Sequence, residues 1–209
     1  MKPPASLLLV HGAGSGPWVY DDWLDLFPTV AVEAVDLQHR LAVDEASMND
    51  YALRVVAAAR GMSQPVALCG WSMGGLVVLQ AAQDVKPHSV VLLEASAPAE
   101  VQGVHPGVQL VNGSFDPEAE YGKFPNGVRS RPESVRARAE RKRGISVSSL
   151  PCPSLVIASA DFPEQRGRSV ANHYNSQLVE FPHLRHFDLV LDAAPRRAVA
   201  DFLDVQLLG

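Results

Sequence analysis

The stretch Val66-Ala67-Leu68-Cys69-Gly70-Trp71-Ser72-Met73-Gly74-Gly75-Leu76-Val77-Val78-Leu79 decides the fold of this chain. An apolar run breaks at glycines around Ser72 and then resumes with an apolar pattern that is typical of a helix. Gly70 and Gly74 flank Ser72 two residues away on either side, where a Cβ would collide with the neighbouring strand and helix. The stretch therefore predicts a buried strand, a sharp turn and a helix.

Length, composition and charge limit the kind of protein. The 209 residues, with 47% hydrophobic and 20% charged residues, predict one globular domain over 1–209. A net charge of -5 gives no reason to expect a nucleic-acid partner. Cys69 and Cys152 are too few and too far apart for a disulfide framework or a metal cluster. The apolar run that ends at Val10 is too short for a signal peptide, and no run approaches the length of a membrane span. We expect a cytoplasmic protein with no membrane partner, and the oligomeric state stays open.

Apolar runs alternate with helix-like patterns along the chain. Further strands are predicted at Ser6–Val10, Thr29–Val35, Ser89–Leu93, Ser154–Ala158 and Gln177–Phe181. Helices are predicted over Trp18–Phe27, from Ser47 through Arg60, from Ser72 to about Asp84, and over about Glu164–Tyr174 and Pro195–Leu207. Continuous apolar runs are typical of strands that are covered on both faces, as in a parallel sheet. The alternation predicts an α/β fold with right-handed crossovers.

The alternation is interrupted between residues 94 and 150, a segment rich in glycine, proline and charge. Arg129 to Arg143 holds six arginines and one lysine against Glu133 and Glu140, a local excess of five positive charges (7 - 2). Its simplest interpretation is the solvated face of a helix. The alternative hypothesis is that it attracts an anionic ester or an acyl carrier.

Three residue types needed for nucleophilic catalysis occur in a suitable order. The sequence Gly70-Trp71-Ser72-Met73-Gly74 fits G-x-S-x-G, in which a strained turn exposes a serine nucleophile. A serine hydroxyl needs a base to take its proton, and the base needs a carboxylate to orient it. Asp161 follows the predicted strand 154–158, and His186 follows the last predicted strand.

Each of the two partners has alternatives. Asp161 could equally serve as a turn or helix-capping residue, and His183 in the same loop as His186 could be the base. The rival acids are Asp116, Asp188 and Asp192.

Two backbone amides are candidates for stabilising the oxyanion that forms when a serine attacks a carbonyl. One is the amide of Met73 at the start of the predicted helix. The other is the amide of Ala13 in the loop His11-Gly12-Ala13-Gly14-Ser15-Gly16. This loop does not fit a dinucleotide-binding G-x-G-x-x-G motif, because the third glycine comes one residue early.

Together these motifs resemble the α/β-hydrolase superfamily, and the resemblance covers most of the chain. The loop that leads from His11 to Trp18 is similar in particular to the small carboxylesterase and methylesterase branch, which also contains hydroxynitrile lyases. Phe187 stands where the lyases carry a lysine, which counts against cyanohydrin cleavage. The resemblance implies the following roles: Ser72 as nucleophile, His186 as general base and acid, Asp161 as orienting carboxylate, and the amides of Ala13 and Met73 as the oxyanion hole. It implies no cofactor and no metal.

The resemblance also implies a reduced sheet. Family members usually have two further strands before the one that leads to the His-Gly loop, but here that strand lies within the first ten residues. We therefore expect a mostly parallel sheet of about six strands, ordered 4-3-5-6-7-8 in the family's strand labels, with a short lid at about 97–150. The expected activity is a serine hydrolase that cleaves a small carboxylic ester through an acyl-enzyme. A thioesterase acting on an acyl thioester and a non-catalytic binding module are the alternatives.

Overall fold

A six-stranded parallel sheet forms the centre of the molecule in the computed structural model, which describes residues 3–207. Met1, Lys2, Leu208 and Gly209, which belong to the predicted domain 1–209, lie outside the described residues. The strands are β1 (Ser6–Val10), β2 (Ala31–Val35), β3 (Val66–Trp71), β4 (Ser89–Leu93), β5 (Ser114–Phe115), β6 (Glu133–Ser134), β7 (Ser154–Ala158) and β8 (Gln177–Glu180). The sheet order is β2-β1-β3-β4-β7-β8, and β5 and β6 form a separate antiparallel pair. The predicted reduced sheet and its order are confirmed, with β1 in the place of family strand 3.

Helices cover both faces of this sheet. They are α1 (Met48–Gly61), α2 (Met73–Val85), α3 (Ala99–Gln102), α4 (Pro117–Tyr121), α5 (Val135–Arg143), α6 (Ser169–Tyr174), α7 (Asp188–Leu191) and α8 (Ala193–Leu203). The helix predicted from residue 18 is a 3-10 helix over Pro17–Trp23, and the helix predicted from residue 164 begins as a π-helix over Pro163–Arg168. A Cβ on Gly167 would lie 2.7 Å from the Ala158 side chain, so the π-helix packs closely on β7.

The core consists of two apolar layers, one on each face of the sheet. Every residue of β1 and β3 is buried, and alternate residues of each strand point to opposite faces. Leu8 and Leu68 pack with α1 and α2 in one layer. Leu7 and Cys69 pack with the 3-10 helix and α8 in the other. Burial on both faces explains why the strands are continuous apolar runs in the sequence.

Residues 97–150, named here the crossover segment, connect β4 to β7 and contain α3, α4, α5 and the β5–β6 pair. Tyr121, Phe124 and Arg141 from this segment line a cavity that also contains Ser72. The crossover segment therefore forms one wall of the space above the carboxyl ends of the strands, where functional groups gather in parallel α/β sheets.

Candidate active site

Ser72 occupies a strained turn between β3 and α2. Its backbone angles are φ 55° and ψ -121°, a region that non-glycine residues seldom adopt. Two backbone hydrogen bonds hold the turn: the Ser72 amide donates to the Leu93 carbonyl (3.0 Å), and the Ser96 amide donates to the Ser72 carbonyl (2.8 Å). The turn presents Ser72 to the cavity.

Glycine is required on both sides of this serine. A Cβ on Gly70 would lie 2.5 Å from the Gly74 carbonyl oxygen, and a Cβ on Gly74 would lie 2.3 Å from the Val10 carbonyl oxygen. Both neighbours are backbone atoms that cannot move aside without disturbing the sheet. The strand, turn and helix predicted from residues 66–79 are present, and Gly70 and Gly74 allow α2 to pack closely against β1 and β3.

Five contacts fix His186 at the cavity. Its ring Nδ1 lies 2.5 Å from Glu94 Oε2, its amide donates to Asp161 Oδ2 (2.8 Å), and its carbonyl accepts from Trp71 Nε1 (3.0 Å). The imidazole packs between the rings of Trp71 and Phe162, with centroids at 5.0 and 5.9 Å. Since Nδ1 faces Glu94, Nε2 is the ring nitrogen that remains for a reacting group.

Glu94 is fully buried and follows β4 directly. Like Ser72, Glu94 is a non-glycine residue with a positive φ, here 45°, which is an unfavourable backbone conformation. Its Oε1 accepts from the amide (2.9 Å) and the hydroxyl (2.7 Å) of Ser159. Burial acts to raise the pKa of Glu94, but the hydrogen bonds and charge of His186, together with those Ser159 hydrogen bonds, hold the pKa below its usual value. The structure thus holds a carboxylate anion against the imidazole.

The geometry does not match the prediction that Asp161 orients the histidine ring. Asp161 Oδ2 accepts from the backbone amide of His186, and Oδ1 pairs with Arg185 Nε at 2.5 Å. The reason lies in the strand order: Glu94 follows β4, the neighbour of the Ser72 strand, whereas Asp161 follows β7, one strand further out. The ring contact belongs to Glu94, which the sequence analysis missed. Its signal was a carboxylate directly after a buried strand, lying between Ser72 and His186 in chain order.

The other candidates lie away from the imidazole. His183 is exposed and packs edge-on to Phe181 (6.2 Å between centroids). Within residues 3–207 no rival acid hydrogen-bonds to the His186 ring. Asp116 caps α4, Asp188 accepts from the Arg185 amide, and Asp192 caps α8.

Of the two predicted oxyanion donors, Met73 follows Ser72 in the chain and Ala13 is in a loop that approaches Ser72. Met73 is the first residue of α2, and Ala13 lines the cavity. A Cβ on Gly12 would lie 3.0 Å from the Ser72 Cβ, which shows how closely the Ala13 loop approaches the serine. In the part of the chain that the structure describes, neither amide donates a hydrogen bond to another residue. Both therefore stay candidates for the oxyanion hole.

Side chains of the crossover segment form hydrogen bonds with the backbone of the Ala13 loop. Glu133 is fully buried, and its Oε2 accepts from the Gly14 amide (3.0 Å) while Oε1 accepts from the Tyr51 hydroxyl (2.6 Å). Arg131 donates to the Ser15 carbonyl (2.8 Å) and pairs with Asp36 (2.6 Å). Part of the basic stretch is therefore built into the support of this loop.

His11 belongs to the same support. Its Nδ1 lies 2.9 Å from the Gly12 carbonyl, and its Nε2 accepts from the Leu37 amide (3.2 Å). Burial, reinforced by the positive charge of Arg131, lowers the pKa of His11 to about 4. The neutral form fits the geometry, because Nε2 accepts a hydrogen bond.

The cavity lined by Ser72, His186 and Ala13 has a volume of about 630 Å³, which suits a small organic molecule. No group of three or more histidine, cysteine, aspartate or glutamate side chains within residues 3–207 could hold a metal ion. Over the same residues, no helix has the length and apolarity to cross a membrane.

The sequence profile described as "Alpha/beta hydrolase family" matches residues 7–202. The chain belongs to this family. This α/β hydrolase is also similar in fold to the type II thioesterase BorB from the borrelidin biosynthetic cluster, with a TM-score of 0.68, 20% identity, and 97% of this chain and 92% of that chain covered. A pyrethroid hydrolase from Sphingobium faniae JZ-2 gives a TM-score of 0.68 at 19% identity, with 96% and 97% covered. The RedJ thioesterase of the prodiginine pathway in Streptomyces coelicolor gives 0.65 at 17% identity, with 95% and 88% covered. At these identities the likeness shows a shared fold. No curated protein sequence matches the chain significantly.

Proposed function

We propose that this α/β hydrolase cleaves a small carboxylic ester through an acyl-enzyme on Ser72. The observation that carries the proposal is the 2.5 Å contact between the buried Glu94 and the ring of His186, which lines the same cavity as Ser72. The resemblance of the His11–Trp18 loop to the small carboxylesterase and methylesterase branch supports an ester substrate.

The first half of the reaction acylates the enzyme. Ser72 Oγ attacks the ester carbonyl carbon while its proton passes to His186 Nε2. Glu94 keeps the other ring proton on Nδ1 and stabilises the imidazolium that forms. The carbonyl π electrons move onto oxygen, where the amides of Ala13 and Met73 donate to the oxyanion. Each such donor is worth about 3 kcal/mol of barrier in comparable sites.

Collapse of the tetrahedral intermediate breaks the bond to the alcohol oxygen. His186 gives its proton to that oxygen, and the alcohol leaves an acyl-Ser72 ester behind. In the second half, His186 takes a proton from water, the water oxygen attacks the acyl carbon, and Ser72 is released with its proton restored. The acid product carries the water oxygen.

Asp161 acts in this proposal as a positioning residue. Its hydrogen bond to the His186 amide holds the His186 loop at the cavity, and it also forms an ion pair with Arg185. Because Arg185 is largely exposed, solvent screens this ion pair and it contributes little stability.

The decisive experiment is labelling with a fluorophosphonate probe, which reacts with an activated serine. Wild type is expected to be labelled, whereas Ser72→Ala is expected to remain unlabelled with the same far-UV circular dichroism. Absence of labelling in folded wild type would overturn the proposal and favour a non-catalytic binding module.

The nearest chemical alternative is thioester cleavage, because the same groups serve both substrates and two of the fold neighbours are thioesterases. Butyrate esters and the matching butyryl thioesters, assayed for product acid, separate the two. The proposal expects the oxygen esters to give the higher kcat/KM.

A further inference from the structure

The cavity beside Ser72 carries an excess of positive charge. Four cationic side chains line it, namely Lys123, Arg141, Arg166 and Arg185, against two carboxylates, Asp161 and Asp188. The excess is two charges (4 - 2), although the whole chain has a net charge of -5. The cavity therefore attracts an anionic ligand, even though the chain as a whole is negative.

Two of the four cations are already neutralised by carboxylates. Lys123 pairs with Glu118 at 2.9 Å and is exposed at the cavity mouth. Arg185 pairs with Asp161 at 2.5 Å. Neither of these ion pairs involves the other two cations, Arg141 and Arg166.

Arg141 and Arg166 have no carboxylate partner within residues 3–207. Arg166 lies over the Phe162 ring at 4.2 Å, a contact that fixes the plane of its guanidinium. Arg141 donates to the Tyr121 hydroxyl at 3.3 Å, while its Nε is buried with no hydrogen-bond partner in that part of the chain. An orphaned buried donor is unfavourable unless a ligand meets it.

The two guanidinium groups line the same cavity. Burial, and then the positive charge of Arg141, lower the pKa of Arg166, with Glu94 and Tyr121 acting in the opposite sense. Arg141 comes from α5 in the crossover segment, and Arg166 comes from the π-helix after β7. Two separate elements thus bring two like charges to the same cavity, where a bound anion would stabilise both.

We propose that Arg141 and Arg166 form an anion-binding subsite of the active-site cavity, which takes a carboxylate or phosphate group of the substrate. The inference rests on the proposed function, since it names the substrate class of that same site. Guanidinium groups bind either oxyanion through paired charge-assisted hydrogen bonds. The substrate is then a small ester with a second, anionic end.

Matched pairs of substrates test the subsite and identify its anion. Monomethyl adipate and methyl adipamate have the same length, but only the first carries a carboxylate. Acetyl phosphopantetheine and acetyl pantetheine differ only in a phosphate. We expect kcat/KM to be about tenfold to hundredfold higher for the anionic member of one pair, because charge-assisted hydrogen bonds to the anion strengthen its binding. The favoured pair distinguishes a carboxylate from a phosphate.

Substitution assigns the preference to the two arginines. Arg166→Gln and Arg141→Gln are each expected to remove most of the preference, measured as the ratio of kcat/KM for the anionic and the neutral member of a pair. Arg136→Gln is the matched control, because Arg136 lies on the same helix α5, pairs with Glu140 at 3.2 Å and does not line the cavity. Equal rates for both members of each pair in wild type, or a preference that survives both substitutions, would overturn the subsite.

A binding measurement separates this inference from the proposed function. Ser72→Ala is titrated calorimetrically with monomethyl adipate, methyl adipamate, phosphopantetheine and pantetheine, with and without Arg166→Gln. Arg166-dependent binding of an anionic compound, together with no hydrolysis of any ester by wild type, would uphold the subsite and overturn the proposed function. Hydrolysis of neutral esters without such binding would do the reverse, and neither binding nor turnover would overturn both.

Discussion

Replacing Glu94 with glutamine is expected to abolish most of the activity while leaving the fold intact. In wild type, His186 Nδ1 donates a hydrogen bond to Glu94 Oε2 across 2.5 Å, which leaves Nε2 as the ring nitrogen that can take the serine proton. Glutamine can keep its oxygen on Ser159, where two hydrogen bonds hold it, and this turns its NH₂ group toward Nδ1. The imidazole must then accept at Nδ1 and carry its proton on Nε2.

In that tautomer the histidine cannot take the serine proton. The loss is expected to be about 10⁴-fold in kcat, as for a triad in the wrong tautomer. At 1.36 kcal/mol per tenfold this is about 5 kcal/mol of barrier. The assay is initial-rate hydrolysis of a neutral methyl ester, with urea unfolding to confirm that the variant is folded.

Asp161→Asn is the matched comparison. Asparagine keeps an acceptor for the His186 amide and loses only the ion pair with the exposed Arg185. We expect less than about a tenfold loss, because solvent-exposed ion pairs contribute at most about 1 kcal/mol. If Asp161→Asn lost about 10⁴-fold and Glu94→Gln stayed near wild type, the assignment of the orienting carboxylate to Glu94 would be wrong.

Three further changes test the support of the site. The pKa of His11 is about 4 in the folded state and 6.5 in the unfolded state, so between pH 4 and pH 6.5 only the unfolded state binds this proton. The free energy of unfolding should therefore fall by about 2 kcal/mol from pH 6.5 to pH 5. Urea unfolding of His11→Gln at both pH values should show a smaller fall, and an unchanged fall would contradict the pKa. Glu133→Gln places an NH₂ group among donors such as the Gly14 amide and should lower the free energy of unfolding by about 1–3 kcal/mol; an unchanged unfolding midpoint would count against this role. Gly74→Ala should destabilise by about 3 kcal/mol or more, whereas Gly107→Ala, with no atom within 4 Å of the added Cβ, should change stability by less than about 0.5 kcal/mol, and equal effects would refute the steric argument.

The sheet could be predicted because its strands are buried on both faces. Burial makes each strand a continuous apolar run, and the predicted runs at Ser6–Val10, Ser89–Leu93 and Ser154–Ala158 coincide with strands. The α1 helix was also visible locally, because its capping box of Ser47 and Asp50 is a sequence pattern. The short elements of the crossover segment gave no such pattern, since they have few residues and little apolar periodicity.

The orienting carboxylate could not be chosen from the sequence. Glu94 and Asp161 both follow strands that end at the same edge of one sheet, so position along the chain fits either. What separates them is the direction of each side chain after its strand, which depends on the φ of 45° at Glu94 and on the path of the loop that carries His186. Likewise, no sequence pattern joins Arg141 to Arg166, because only the tertiary fold brings both to the same cavity.

The hydrogen bond from the Gly14 amide to Glu133 sets a limit on how this enzyme can be re-engineered. Exchanging the whole crossover segment for that of a relative, to change the shape of the substrate cavity, would also remove the acceptor that holds the Ala13 loop. A chimera joined after Ser134 keeps both Arg131 and Glu133 and replaces only α5 and the residues beyond it. Exchanges of cavity-lining residues that leave Arg131 and Glu133 in place therefore keep the support of the Ala13 loop.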